Sequence, residues 1–126
     1  MNKTPWSPTA EDLERFRDIQ QLAYECAETI GAQLAPGITE RETAALMKTW
    51  LLDHGVDDWF HQPFAWFGDR TAFRGFIGFK HMGGFNPAFY PGSRQLEENM
   101  PYILDCAPTR NGYTADIGYC GVVGEN

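Results

Sequence analysis

The sequence has no long apolar run, no excess of positive charge and few cysteines, and each of these absences excludes a class of protein. No stretch approaches the roughly 20 apolar residues that a membrane-spanning helix requires. The formal net charge is -7 and the isoelectric point is about 4.8, so the chain lacks the basic surface that neutralises a nucleic-acid backbone. We therefore expect neither a membrane protein nor a nucleic-acid-binding protein.

The cysteines are also few and widely spaced. Cys26, Cys106 and Cys120 form no C-x-x-C pair, and an odd number cannot all be joined within one chain. We expect three reduced thiols, each a small buried side chain. The N-terminal residues contain no apolar segment typical of a signal peptide. These features together predict a cytoplasmic protein.

What the sequence does contain is material for one core. Apolar residues make up 43% of the 126 residues and aromatic residues 14%, which is enough for a single globular domain. No internal repeat, low-complexity tract or linker divides the chain. Residues 1–126 are therefore predicted to form a single unit.

The first part of the chain predicts an amphipathic helix over residues 7–34. Thr9 with Asp12 three positions later is typical of a capped helix start, and Pro36 with Gly37 predicts the end. Apolar side chains recur at three- and four-residue steps, which gives the helix one buried face. They are Phe16, Ile19, Ala23, Cys26, Ala27, Ile30 and Leu34.

A second helix is predicted to follow directly. Thr39 and Glu42 have the spacing of a capping box, in which each side chain accepts a hydrogen bond from the other residue's backbone N–H. The helix should end near Gly55. Its apolar face is formed by Ala44, Met47 and Leu51, with Leu46 and Trp50 beside it.

From Trp59 onward the sequence predicts strands and loops. Aromatic and β-branched residues alternate with glycine, proline and asparagine, and residues 81–94 are too rich in these last residues for a regular element. Two strand-like runs, 102–107 and 113–123, flank an Asn-Gly pair at 111–112, which is typical of a hairpin turn. The predicted order is helix, helix, strands and a final hairpin.

This hairpin places two carboxylates on one face. If residues 111 and 112 are the centre of the turn, Ala107 faces Asp116, and Asp105 lies diagonally across from Asp116. Two carboxylates on apolar strands repel each other unless a cation neutralises them, and hard oxygen ligands suit Mn²⁺, Mg²⁺, Fe²⁺ or Zn²⁺. The spacing alone is a weak signal, because aspartates near hairpins are commonly exposed to solvent.

The residues around this pair resemble a known family. Within residues 96–107, an apolar strand ends at Asp105. Residues 111–124 contain a Gly-Tyr turn, and Asp116 follows Asp105 by eleven positions. Upstream, residues 34–42 read LAPGITERE. These sequence motifs are similar to those of the pita-bread metallopeptidases, which include methionine aminopeptidase, prolidase, Xaa-Pro aminopeptidase and creatinase.

The resemblance implies a fold class and a metal site. The fold is α+β, the N-terminal half of a pita-bread domain, with two helices packed on a curved antiparallel sheet ending in a β-hairpin. By the resemblance, Asp105 binds one divalent metal ion and Asp116 bridges two, the metal being Mn, Co, Fe or Zn. The other ligands in the family, a histidine and two glutamates, come from the second half of the fold. We therefore expect that half as a separate or cleaved partner chain, and a homo-oligomer.

The resemblance also implies residues that act on a substrate. His81 corresponds roughly to a family histidine that hydrogen-bonds substrate or stabilises the tetrahedral intermediate, so it is the predicted catalytic residue. It lies farther from Asp105 than is usual in the family, which requires an insertion such as residues 85–90. His61, Trp66 and Phe67 belong to a segment that lines the substrate groove in relatives, and we predict that they bind substrate.

Three functions fit this sequence. The leading prediction is a metal-dependent hydrolase, an aminopeptidase or prolidase-type peptidase whose site is completed outside the chain. The same fold acts on a small non-peptide molecule in creatinase, so a non-peptide substrate is the second hypothesis. The third is a non-catalytic binding module, against which the presence of both Asp105 and Asp116 counts.

Overall fold

The computed structural model describes residues 6–72 and 90–124, which form two helices and an antiparallel sheet. Within these residues, no helix has the length and apolar character needed to cross a membrane. Strand β2 pairs with β1 on one side and with β3 and β4 on the other. The elements are α1 (Ala10–Gln33), α2 (Glu40–Asp53), β1 (Asp58–Phe67), a 3-10 turn (Gly68–Thr71), β2 (Pro101–Arg110), β3 (Tyr113–Thr114) and β4 (Ile117–Val122).

Both helices begin at the capping boxes that the sequence predicts. At the start of α1, the Asp12 backbone N–H donates to Thr9 Oγ1 at 3.0 Å, and the Thr9 N–H donates to Asp12 at 2.9 Å. Thr39 and Glu42 make the same reciprocal pair at the start of α2, with both distances 3.0 Å. Helix α1 starts at Ala10, three residues later than the predicted start, because Thr9 is the cap.

The core lies between the helices and one face of the sheet. Helix α1 presents a buried stripe close to the predicted one, although Phe16 is half-buried and packs edge-on against Tyr113, with ring centroids 5.0 Å apart. Helix α2 buries Met47 and Leu51 as predicted. The fully buried side chains include Ile19, Met47, Leu51, Phe67, Leu96 and Leu104. The helices therefore cover one side of the sheet with apolar side chains.

The three cysteines divide between buried and exposed positions. All are free thiols. Cys26 and Cys106 are buried in the core, where a hydrogen bond with Cys26 and burial together raise the pKa of the Cys106 thiol. Cys120 is exposed, so the prediction of a buried side chain is wrong there, because its strand partner Ile103 lies on the face of the sheet that the helices do not cover.

The hairpin has the predicted turn and register. Asn111 and Gly112 both have positive φ, 53° and 86°, as a two-residue hairpin turn with matching twist requires. Asp105 is paired with Gly118, which follows from that turn. The predicted second strand is divided into β3 and β4, with residues 115–116 between them. Asp116 therefore occupies a short irregularity next to the strand that carries Asp105.

A buried carboxylate joins α2 to the end of β1. Glu40 is 1% exposed, and its Oε2 accepts hydrogen bonds from the Phe67 N–H and from Arg70 Nε, both at 2.9 Å. Its Oε1 accepts from the Gly92 N–H at 2.9 Å. A buried charge with a cationic partner and filled lone pairs is tolerated, whereas a bare one is costly. Glu40 thus fixes the edge of the sheet relative to the helix.

Candidate metal centre

An irregularity in β1 turns His61 toward the two aspartates. His61 is paired with Ala107 and Phe64 with Asp105, and the register shifts on both sides of His61. In a regular strand, residues three apart point to opposite faces. The shifts place His61 and Phe64 on the same face, with ring centroids 5.3 Å apart. An irregular strand position commonly re-aims a side chain in this way.

Three potential metal ligands converge on this face. His61 Nε2 lies 3.1 Å from Asp105 Oδ1 and 3.3 Å from Asp116 Oδ1. One ligand atom from each residue falls within 4.8 Å of the others. The side chains of His61, Asp105 and Asp116 are 32%, 24% and 52% exposed, so the cluster is partly shielded but reachable from solvent.

One oxygen of the cluster has no hydrogen bond. Asp105 Oδ1 is buried and unpaired, since His61 Nε2, although close, is not aligned to donate to it. Burial raises the pKa of Asp105 to about 6, attraction to His61 opposes this shift, and repulsion from Asp116 adds to it. A buried carboxylate oxygen without a partner is unfavourable unless a cation binds there.

The backbone opposite Asp105 leaves room at its carboxylate. Gly118 faces Asp105 across the hairpin, and a Cβ on Gly118 would lie 3.5 Å from Asp105 Oδ2. Two carboxylates and an imidazole form a donor set that divalent transition ions accept. The orphaned oxygen and this donor set fit the metal ions that the sequence predicts.

The structure brings together some of the predicted site residues and separates others. Asp105 and Asp116 meet, and Trp66 lies half-buried on their side of the sheet, its ring 5.1 Å from that of Phe64. Phe67 points the other way and is 0% exposed, so it packs in the core and its side chain has no surface for a substrate. The prediction for Phe67 is corrected for this reason. The predicted catalytic histidine at position 81 lies outside the described residues.

His61 was predicted to bind substrate, and its place beside the carboxylates was missed. A signal was present in the next residues. Pro63 cannot donate a ladder hydrogen bond, and proline within a strand is typical of a bulge or an edge. A bulge at residues 61–63 turns the His61 side chain to the other face of the sheet, which the regular alternation of a strand cannot predict.

Helices on one side of an antiparallel sheet, with a carboxylate pair on the other, are the arrangement found in one half of a pita-bread domain. The chain belongs to the metallopeptidase family M24, whose family model matches residues 14–126. Its curated relatives include an uncharacterized peptidase from Staphylococcus aureus strain MSSA476 and another from strain Mu50. Each is 24% identical over 107 residues, which cover 85% of this chain and 27% of the relative.

Solved structures share the fold. An X-Pro aminopeptidase from Thermotoga maritima superposes with a TM-score of 0.75 at 19% identity, covering 94% of this chain and 30% of that one. The prolidase from Pyrococcus furiosus superposes with a TM-score of 0.75 at 20% identity, covering 93% of this chain and 31% of that one. An Xaa-Pro dipeptidase from Bacillus anthracis also has a TM-score of 0.75, at 20% identity, covering 93% of this chain and 29% of that one. The predicted fold class is thereby confirmed, and the chain spans under a third of these proteins.

Proposed function

We propose that this chain is the metal-binding half of a hydrolase that cleaves peptides, in the manner of a prolidase or an Xaa-Pro aminopeptidase. The observation that carries the proposal is the convergence of Asp105 and Asp116 beside a buried, unpaired carboxylate oxygen. Membership in a metallopeptidase family supports a hydrolytic reaction. The names of the structural neighbours support a substrate with proline after the scissile bond.

Each carboxylate has a role in the proposed dinuclear site. Asp105, the more buried of the two, would hold one ion, and Asp116, which is 52% exposed, would have surface left to hold a second as well. A bound divalent ion would polarise the substrate carbonyl and make a bound water acidic near neutral pH. The half-buried rings of Phe64 and Trp66 would contact the apolar part of a peptide next to the carboxylates. The histidine at position 81 remains the proposed oxyanion partner.

The face of the sheet that neither described helix covers supports a second half as partner. Apolar side chains on it are half-buried or exposed, among them Phe64, Ile103 and Val122. An apolar patch of this kind is typical of a surface that another protein segment covers. We propose that the C-terminal half of the same fold packs there, as a cleaved, separate or continuous chain, and supplies the remaining histidine and two glutamates. A homo-oligomer and a cytoplasmic location also remain proposals.

Metal analysis of the assembled protein tests this function. The wild-type chain purified with its C-terminal half should contain about two divalent ions per pair and release the N-terminal residue from Xaa-Pro peptides. Asp116→Ala should lose both metal and activity, because the bridging ligand is gone. Asp18→Asn, on the exposed side of α1, is the matched control and should retain both. Full metal content in Asp116→Ala would contradict the proposed site.

A further inference from the structure

The position of His61 goes beyond a site made only of aspartates in this half. Two ligand atoms bound about 2.1 Å from one ion at angles of about 90–109° lie roughly 3.0–3.4 Å apart. His61 Nε2 is 3.1 Å from the oxygen of Asp105 and 3.3 Å from that of Asp116. These separations match two edges of a single coordination shell. We propose that His61 is a third metal ligand, an inference that rests on the proposed carboxylate site.

The other nitrogen of His61 is arranged as it is in metal-bound histidines. His61 Nδ1 lies 2.9 Å from the backbone oxygen of Gln62. A carbonyl oxygen only accepts hydrogen bonds, so Nδ1 carries a proton, and a neutral ring in this tautomer would direct the lone pair of Nε2 at the carboxylates. A hydrogen bond from the second ring nitrogen to a carbonyl orients ligating histidines in this way.

The strand geometry holds the ring in place. Register shifts before and after His61 interrupt the pairing of β1 with β2, and they place the ring on the face of Asp105. The ring of Phe64 packs against it with centroids 5.3 Å apart, and the ring of Phe60 lies 6.2 Å away. The imidazole is thus fixed by backbone, hydrogen bond and packing before any ion binds. Such preorganisation strengthens a metal site.

A second arrangement of the same atoms makes the opposite prediction. A protonated His61 would act as the cation that pairs with Asp105 and Asp116, and a metal ion would then have to displace it. Removing the ring would leave metal affinity unchanged or raise it. If His61 is a ligand, removing it lowers the affinity. The sign of the change therefore separates the two arrangements.

An imidazole ligand also changes which ion the site prefers. Nitrogen donors suit Zn²⁺ and Co²⁺, whereas carboxylates alone suit Mg²⁺ and Mn²⁺. Removing His61 should therefore reduce the affinity for Zn²⁺ more than that for Mn²⁺. A purely electrostatic or structural effect of the substitution would change both affinities by the same factor.

The test measures binding of Zn²⁺ and Mn²⁺ to the full 126-residue chain by competition with a chromophoric chelator. His61→Ala and His61→Gln should each weaken Zn²⁺ binding by at least about 10-fold, since loss of even an outer partner of a ligand costs about 10–100-fold. Mn²⁺ binding should fall by a smaller factor. His54→Ala is the control, because His54 ends α2 and stacks on Trp50 instead.

X-ray absorption at the zinc edge identifies the ligand directly. Outer-shell scattering from an imidazole should be present in the wild type and in a His81→Ala variant, and absent in His61→Ala. Its persistence in His61→Ala, or unchanged or tighter Zn²⁺ binding there, would overturn the role of His61. If Asp116→Ala still loses the metal in that case, the proposed function stands. A wild-type chain that binds no zinc would overturn the ligand role as well.

Discussion

The two faces of the sheet differ in composition although they are made by the same strands. On the helix side, Ala65, Phe67 and Leu104 are fully buried. On the other side, Phe64 and Ile103 are half-buried, and Asp105 contributes a charge. Neighbouring residues thus alternate between stabilising the fold and forming the site. The comparison shows that the free energy gained by burying apolar side chains on one face offsets an unfavourable carboxylate on the other.

The largest effect should come from truncating adjacent residues on opposite faces. Phe67→Ala removes a fully buried ring and should lower the free energy of unfolding by about 3–5 kcal/mol. Trp66→Ala should cost less, roughly 1–2 kcal/mol, because its ring is only half-buried. Urea denaturation of both variants measures the difference. Equal losses would break the comparison between the faces.

The next effect concerns the carboxylate that holds α2 to the sheet. Glu40→Gln keeps the shape of the side chain, but its NH₂ cannot accept the hydrogen bonds that one Glu40 oxygen accepts. Hydrogen bonds to charged groups are worth about 1.5–3 kcal/mol, so we expect a loss of roughly 2–3 kcal/mol. Thermal unfolding compared with the exposed control Glu97→Gln tests this. Similar melting temperatures for the two variants would contradict a structural role for Glu40.

Two glycines of β4 sharpen the comparison by their different surroundings. A Cβ on Gly121 would collide with the Tyr102 hydroxyl oxygen, so Gly121→Ala should displace that ring at a cost of about 1–3 kcal/mol. A Cβ on Gly118 meets only Asp105 Oδ2, at an ordinary 3.5 Å, so Gly118→Ala should cost under about 1 kcal/mol. Chemical denaturation measures both values. A reversed order would mean that the site face is the more tightly packed one.

The last effect is a gain in stability when the Asp105 carboxylate on the site face is replaced. The pKa of Asp105 is raised from 3.8 to about 6 in the folded chain, so between these pH values the folded state binds more protons than the unfolded state. The stability that this proton binding contributes to the wild type is full below about pH 4 and is lost as the pH rises through 6. Asp105→Asn removes the titration and should stabilise the metal-free chain at pH 8 on the order of 1 kcal/mol.

Denaturation at pH 5 and pH 8 in a chelating buffer measures this dependence. The wild type should be less stable at the higher pH, and Asp105→Asn should show a smaller difference. Asp18→Asn is the control and should keep the wild-type slope. If Asp105→Asn kept the wild-type dependence of stability on pH, the pKa of Asp105 would not be raised in the folded wild type.

The features that the sequence predicted correctly depend on contacts within a few residues. Thr9 and Thr39 cap helices through partners three positions away, and the turn at residues 111–112 sets the pairing of the strands that follow it. Such signals are local, so a single sequence contains them. The predicted meeting of Asp105 and Asp116 followed from that turn.

The features that the sequence did not predict depend on distant partners. His61 reaches Asp116 only because β1 pairs irregularly with β2, and the two residues are 55 positions apart. Glu40 binds groups 27 to 52 positions away, so its burial has no local signal. Cys120 was predicted to be buried because cysteine is commonly buried, but its exposure depends on which face the helices cover.

Glu40 also ties two separate stretches of chain to the start of α2. Its oxygens bind Arg70 on one side of residues 73–89 and Gly92 on the other, and Arg70 Nη2 donates to the Tyr90 backbone oxygen at 3.1 Å. One buried group therefore holds Arg70 and Gly92, which are 22 positions apart in the sequence. Loss of this one carboxylate would therefore release Arg70 and Gly92 from the start of α2 at the same time.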